Sequence, residues 1–506
     1  MDNVVDALVA MGAGMSVLNT AYAGGADPTG AADSAAAIQA ALNAVPAGGG
    51  FVYLPPGTYK IASTVSSAVT PTYICGAGRW ATTVNFTGTG DCIRMLNAGG
   101  SGTGLWGGGV TGLTIKGGSS GAGSAGLHIG DGEQYYLDAA FEDFSGAGSI
   151  GCHIDNTVWW TEKLHGTIFA RNCAQHVVFD TTSPATTVAA GSNGGTIANV
   201  ASWGAGFGGS GVLAVASTAG FGTAGTVNVA ASGATTAVVT YTGKTPTTLT
   251  GCVYVSGSPA GTVATGGAVT LITSTNSFGY LDLTCYLYAQ VNQDGVVVQN
   301  GAYPYHGRLA IKGNFTGSAS AVTNAVLRIT GTVPAGHPGA GNRAQIQRCQ
   351  LDIQAEVQSF ANQPSTIIFG GAAGQNAILG CYGIMDFTQG AGTFTQTNLP
   401  AATNSNTFIY SGPVIGDASL NPAGAVPAPA SIGPHVFSKT FINGANGNSF
   451  PNSGDFFSCT LSASITVNLN PSAAATIAAP QRKTIIIKQA AAGGPYTVTW
   501  PHTGSP

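Results

Sequence analysis

The stretch 151–165, GCHIDNTVWWTEKLH, gathers His153, Asp155, Glu162, Lys163 and His165 around the pair Trp159–Trp160. That concentration is unusual in a chain of 506 residues of which only 7% are charged, against about 25% in an average soluble domain. The bias extends further. Eight of the 20 acidic residues, three of the four glutamates (Glu133, Glu142 and Glu162) and four of the eight histidines lie between His128 and Asp180. Two chemistries on sugars use these residue types. Hydrolysis needs two carboxyl groups, about 5–5.5 Å apart for retention or about 6.5–9.5 Å for inversion. Elimination needs a base for a sugar α-proton and positive charge for the developing anion.

The candidate catalytic carboxylates are Glu142, Asp143, Asp155 and Glu162, with Asp131 and Glu133 beside them. Three pairings are open: Asp131 with Glu133, Glu142 with Asp143, and Asp155 with Glu162. Asp352, Glu356 and Asp386 offer one more pair later in the chain. The plain alternative for each is a carboxylate that hydrogen-bonds a chain turn. Trp159, Trp160, Lys163, His165 and Arg171 are the candidate glycan-binding residues, because an exposed indole beside charged groups is a stacking platform. Adjacent residues of a strand face opposite ways, so at most one of the two tryptophans is expected in the core. The alternative is that both are buried at a corner or a subunit contact.

His128 and His153 stand between apolar neighbours in L-H-I and C-H-I, which directs both rings outward. Stacked one above the other, with His176 as a weaker third member, they offer imidazoles to zinc. Metal sites need converging ligands, often with carboxylates behind them, so plain stacking is expected and no metal is assigned. No Walker loop, H-E-x-x-H, EF-hand loop or G-x-S-x-G elbow occurs, and no cofactor is expected.

The histidines also show what positions these groups. AGLHIGDG starts at Ala125 and IGCHIDNT at Ile150, which puts His128 and His153 25 residues apart. AQHVVFD places His176 another 23 residues on. That period suits one coil of a parallel β-helix, and short strands with Gly- or Asn-rich corners fill the rest of the chain. Aligned on the histidines, Asp131, Asp155 and Asp180 fall three, two and four residues later. No carboxylate pair therefore arises from stacking alone, although coils stack at about 4.8 Å. The one clear helical pattern is DSAAAIQAALNAV, 33–45, with Asp33 as N-cap and Ile38, Leu42 and Val45 on one face. FVYLPPGTYKI, 51–61, follows as strand, Pro-Pro-Gly turn and strand.

Composition narrows the partners. A net charge of −4 gives no attraction for nucleic acid or an anionic membrane. The N-terminus has no basic region and fits neither a signal peptide nor a transmembrane span. The 77 glycines and 44% hydrophobic residues indicate a packed, turn-rich protein rather than disorder. Nine scattered cysteines without C-x-x-C read as buried free thiols. Between Asp180 and Asp282 the only charged residue is Lys244. That segment suits a subunit contact or neutral sugars, with Trp203, Phe207, Phe221, Tyr241 and Tyr254 as its aromatics, which can equally be core residues.

The run GADPTGAADSAAAIQAALNAVPAGGGFVYLPPGTYKI, 25–61, and its continuation TYICGAGRWATTVNFTG resemble the start of the pectate-lyase-like domain of bacteriophage tailspikes and tail fibres. The acidic cluster usual upstream of the helix is reduced here to Asp27 and Asp33. FGTAGTVNVAASGATTAVVTYTGKTPTTLTGCVYVSG, 221–257, resembles a small β-domain inserted into tail proteins, notably of actinobacterial phages. The segment 458–506 resembles the start of a C-terminal β-module that continues past Trp500–Pro501 in that family.

The resemblance implies an all-β, right-handed parallel β-helix with an N-terminal capping helix. The expected units are an attachment segment (1–24), first coils (25–181), an inserted β-domain (182–275), further coils (276–420), a Pro/Ala linker (421–434) and a C-terminal β-module (435–506). It further implies a virion protein made in the host cytoplasm, a homotrimer contacting other tail or baseplate proteins. Its expected task is host recognition through a surface glycan. A polysaccharide depolymerase on the same scaffold and a non-catalytic structural spike are the alternatives.

Overall fold

A computed structural model describes residues 14–67, 71–96, 105–157, 159–182, 185–195, 211–218, 221, 224–231, 235–257, 262–272, 277–316, 325–331, 344–358, 365–369 and 377–389. Beyond these it describes the backbone of six strands between 407 and 499. The expected linker lies outside the described residues. So do most of the C-terminal module and of the N-terminal attachment segment, and Trp203 and Phe207.

The strands run parallel and stack coil upon coil into an 18-stranded sheet, whose two halves on either side of a corner are here the first and second sheets, and an 8-stranded third sheet. The first holds Gly50–Leu54, Thr72–Gly76, the start of Leu105–Lys116, the start of Gly132–Glu142, Thr161–Glu162, Ser277–Gly279 and Tyr303–Tyr305. The second holds Gly57–Ile61, Thr82–Phe86, the ends of the two long strands, His165–Arg171, Asp282–Ala289, Arg308–Thr316 and Gln350–Gln358. The third holds Asp91–Met95, Ala125–Gly130, Ile150–Asp155, Gln175–Asp180, Asp294–Gln299 and Ala325–Thr330.

The period-2 pattern of each strand sends alternate side chains inward. Stacking then lines like residues up, for example Met95, Ile129, Ile154, Phe179, Val298 and Ile329. All are 2% exposed or less, and each such aliphatic side chain contributes about 1.5–3 kcal/mol by burial.

The corner between the first and second sheets is one residue in the left-handed region. Gln134, Lys163, Tyr280, His306 and Arg348 occupy it in successive coils, with φ between 50° and 64°. The ladder is not lost there. The amides of Lys163, Tyr280, His306 and Arg348 donate to carbonyls of the next coil at 2.8–3.2 Å. Just beyond the corner, Gly166 has φ 137°, and a Cβ there would meet the Leu137 carbonyl oxygen at 1.8 Å. Only glycine allows that close approach.

The helix is Ala35–Asn43, shorter than the expected 33–45. Asp33 is held instead in a bridge to Lys60. Its carboxylate accepts both the Ala35 and Ala62 amides at 3.1 Å, so it ties the helix start to the first coil from one position before the cap. Upstream, the Asp27 carboxylate accepts the amide of Ala32, and the hydroxyl and amide of Thr29. These bonds, the Ala32 amide first, lower its pKa to about 2.

After Asp180 the chain leaves the coils and forms an antiparallel sheet in the order 185–187, 268–271, 225–231, 235–241, 253–257. It has its own core, in which Phe221 and Tyr241 are buried. The β-helix closes beneath it without a break: Thr161–Glu162 pairs directly with Phe278–Gly279, and Gln175 with Asp294. The Lys244 ammonium donates to the Phe221 and Thr218 carbonyls. All eight cysteines whose side chains are described are buried; Cys459 lies outside them.

Candidate functional site

The outward residues of the second sheet form an aromatic and charged surface. One row runs Ala140, Phe169, Tyr286, Lys312 across adjacent strands, and the next runs Glu142, Arg171, Tyr288, Asn314, Glu356. Ala140 is small and leaves a hollow beside Phe169. Arg79 and Trp80, from the turn before Thr82–Phe86, reach over it. The Arg79 guanidinium lies 3.7 Å above the Phe169 ring, and the other face of Phe169 stacks on Tyr286 at 4.9 Å. Lys312 stands 5.9 Å from the Tyr286 ring, and Trp80 meets Phe169 edge-on at 6.2 Å.

The result is a groove of about 470 Å³ lined by these aromatics, with Arg171, Asn314 and Glu356 at its polar end. Trp80 is 65% exposed, and Tyr286 and Tyr288 are 40% and 46% exposed. Exposed aromatics of this size in one patch mark an interaction surface. Glu142 at the groove's edge is buried but paired, 2.9 Å from Arg171 and 3.8 Å from Lys116.

A second cluster sits at the corner where the same strands begin. Glu133 and Glu162 are register partners on adjacent coils, so their backbones are about 4.8 Å apart. Lys163 donates to Glu133 at 2.9 Å, and the Trp160 indole N–H points to the same carboxylate at 3.5 Å. Tyr305 donates to Glu162 at 2.8 Å. Burial, then that bond, raises the Tyr305 phenol far above its ordinary pKa. Trp106, Tyr280 and His306 surround the pair and are exposed.

The third sheet is different. His128 and His153 stack with ring centroids 4.2 Å apart, but they are only 9% and 8% exposed. His128 Nδ1 lies 2.9 Å from Asp91 and Nε2 3.0 Å from Asp155. Burial works against its charged form, yet the hydrogen bonds to Asp155 and Asp91 outweigh it and raise the pKa to about 9. His153 Nε2 lies 3.4 Å from Asp180 and 4.0 Å from Asp155, without a hydrogen bond to either. Asp155 is fully buried. Its burial opposes ionisation, but His128 and the hydroxyl of Thr182 hold it below the usual carboxylate range. Among the described residues His128, His153 and Asp155 bring one ligand atom each within 4.8 Å of one another.

Several expectations change in this light. The carboxylates do stack: Glu133 with Glu162, and Asp155 with Asp180. Corner length varies between coils, so alignment on histidines misplaces them. His176 is not part of the stack, because His153 pairs with Val178. His176 is buried between the Asp294 and Tyr288 carbonyls, and that burial lowers its pKa.

Asp131 is a turn carboxylate that receives the Thr157 and Trp159 amides and the Thr157 hydroxyl. Asp143 likewise receives Asn172 at 2.8 Å. The tryptophans are not in a strand facing opposite ways. Both are half-buried with ring centroids 4.0 Å apart, and Trp159 packs on the core of the inserted unit. His165 and Arg171 are exposed at the two ends of one strand, with Phe169 between them. Asp352 is buried and bonded to Gln350, while Glu356 reaches the groove; the side chain of Asp386 lies outside the described residues. The sequence reading missed Arg79, Trp80, Tyr286, Tyr288 and Lys312. The alternation in LTCYLYA was the available signal.

Comparison with protein families agrees with this architecture over the first half of the chain. Residues 20–261 match the family described as Rhamnogalacturonase A/epimerase, pectate lyase-like. The fold is a pectate-lyase-like β-helix. Among solved structures, ORF18 of Geobacillus virus E2 is 14% identical with a TM-score of 0.35, over 81% of this chain and 64% of that one. The chain thus spans less than two thirds of that protein's length. The A-module of the Azotobacter vinelandii mannuronan C-5 epimerase AlgE4 is 14% identical, with a TM-score of 0.30, over 79% of this chain and 100% of that one. The catalytic unit of a GH87 α-1,3-glucanase from Streptomyces thermodiastaticus is 13% identical, with a TM-score of 0.35, over 96% and 67%. At these scores the likenesses carry no argument. No curated protein matches the chain. Among the described residues no helix is long and apolar enough to cross a membrane.

Proposed function

We propose that this pectate-lyase-like β-helix binds a polysaccharide along its second sheet, as the host-recognition part of a trimeric bacteriophage tail spike or fibre. The observation that carries the binding is the ladder Arg79–Phe169–Tyr286–Lys312, with the exposed rings of Trp80, Tyr286 and Tyr288, along a groove of about 470 Å³. Sugar rings present apolar faces edged with hydroxyls. Aromatic walls take the faces, and Arg171, Asn314 and Glu356 take the hydroxyls, the division of labour usual in ligand clefts. The resemblance of 25–61, 221–257 and 458–506 to phage tail segments supports the virion role and the trimer.

Glu133 and Glu162 support a second reading, cleavage. They are the carboxylates of adjacent coils that meet in register among exposed aromatics, and paired carboxylates are what a glycosidase needs. In the structure, however, Lys163 and Tyr305 already engage them, which favours binding.

The test is to expose a panel of bacterial capsular and cell-wall polysaccharides to the chain and assay both retention and products. Retention without new reducing ends or unsaturated sugars is expected. Products that vanish in Glu133→Gln or Glu162→Gln would replace binding by depolymerisation. Neither retention nor products would leave a structural spike.

A further inference from the structure

We propose that His128, His153 and Asp155, with Asp180 beside them, form a binding site for one divalent transition-metal ion of the zinc class. The site lies on the third sheet, away from the glycan groove, and draws on three successive coils. Its ligand types are two imidazoles and one carboxylate, with the Asp180 carboxylate 3.4 Å from His153 Nε2, a set that suits zinc, cobalt or nickel.

The spacing fits. A tetrahedral zinc with ligands at about 2.0–2.1 Å has ligand atoms about 3.3 Å from one another. Here His128 Nε2 and Asp155 Oδ2 are 3.0 Å apart, His153 Nε2 and Asp180 Oδ2 3.4 Å, and His153 Nε2 and Asp155 Oδ2 4.0 Å. The ligand atoms of His128, His153 and Asp155 all fall within 4.8 Å.

Two further observations point to a ligand. His153 Nε2 is a polar atom without a hydrogen bond, on a side chain nine-tenths buried and aimed between two carboxylates. A metal ion would give that nitrogen the partner its hydrogen-bonding does not supply. The outer shell is also in place. Asp91 holds His128 Nδ1 at 2.9 Å, which presents Nε2 inward, as carboxylates behind metal-bound histidines do. Gln299 and Asn300 hold Asp180 at 2.7 and 2.8 Å. The Thr181 and Thr182 amides donate to Asp180 and Asp155. A bound ion would therefore fasten the point where the chain leaves the β-helix for the inserted unit.

The experiment uses the full chain, stripped with a chelator and titrated with Co²⁺ and then Zn²⁺. The expected result is one Co²⁺ per chain with the visible absorption of tetrahedral cobalt, displaced by Zn²⁺, and a higher Tm with Zn²⁺. His153→Gln should abolish the signal. Asp91→Asn should weaken binding about 10–100-fold, and His165→Gln should leave it unchanged. Absence of stoichiometric cobalt absorption, or its persistence in His153→Gln, overturns the proposal. Should the variant not fold, anomalous scattering from crystals grown with zinc decides. A peak between His128 and His153 upholds the site, and a peak elsewhere or none removes it.

Discussion

The second and third sheets are both rich in ionisable residues, yet they treat them in opposite ways. On the third sheet, His128, His153, Asp155 and Asp180 are buried, and His128, Asp155 and Asp180 are held by neighbouring side chains and backbone amides. On the second sheet, Arg171 and Lys312 stand beside aromatic rings that face solvent. A cluster of His, Asp and Glu in the sequence therefore does not by itself mark the surface a substrate meets. Exposure combined with uncovered apolar area does, and of these two sheets, among the described residues, the second has both.

Substitutions can break this contrast. The largest effect is expected from Asp155→Ala, which leaves the buried His128 without one of its two partners. Loss of one member of a buried charged pair costs about 3–5 kcal/mol, read as a lower midpoint in denaturant, with glycan binding by the surviving folded fraction unchanged. Ile154→Ala, in the stacked core beside it, should cost about 2–5 kcal/mol and test whether the third sheet is chiefly structural.

On the other side, Tyr286→Ala should leave the denaturation midpoint almost unmoved and weaken polysaccharide binding about tenfold, which corresponds to about 1.4 kcal/mol. Equal stability losses from Asp155→Ala and Tyr286→Ala would erase the distinction between the sheets.

The smallest effect concerns pH. The Asp27 carboxyl has a folded pKa lowered to about 2. Its contribution is present above its unfolded value of about 3.9 and is lost as pH falls through 2. Thermal melts of Asp27→Asn should therefore show a shallower fall in Tm between pH 4 and pH 2 than the unsubstituted chain. Identical slopes would remove Asp27 from the N-terminal bracing.

The sequence disclosed the β-helix through local features. The 25-residue repeat of His128 and His153 marks a coil, and the Ala-rich helix before FVYLPPGTYKI marks the start of the stack. What stayed hidden depends on contacts distant in sequence. Phe169 and Tyr286 are neighbours across one strand spacing, but the inserted unit separates them in the chain. Glu133 and Glu162 meet because each precedes a left-handed corner residue, Gln134 and Lys163. A count made from the histidines runs through corners of unequal length and loses that register. The burial of Asp155 was equally illegible, since an Asp at the end of a strand reads the same whether solvent or a histidine waits beyond it.

The central claim is that the aromatic ladder of the second sheet is the glycan-binding surface. Its most direct test is calorimetric titration of a retained polysaccharide against the unsubstituted chain and the double variant Trp80→Ala/Tyr286→Ala, with melting curves run in parallel. The account predicts that binding falls at least tenfold while Tm stays within a few degrees. Unchanged affinity in a folded double variant would contradict it and move the search to Glu133, Glu162 and Tyr305.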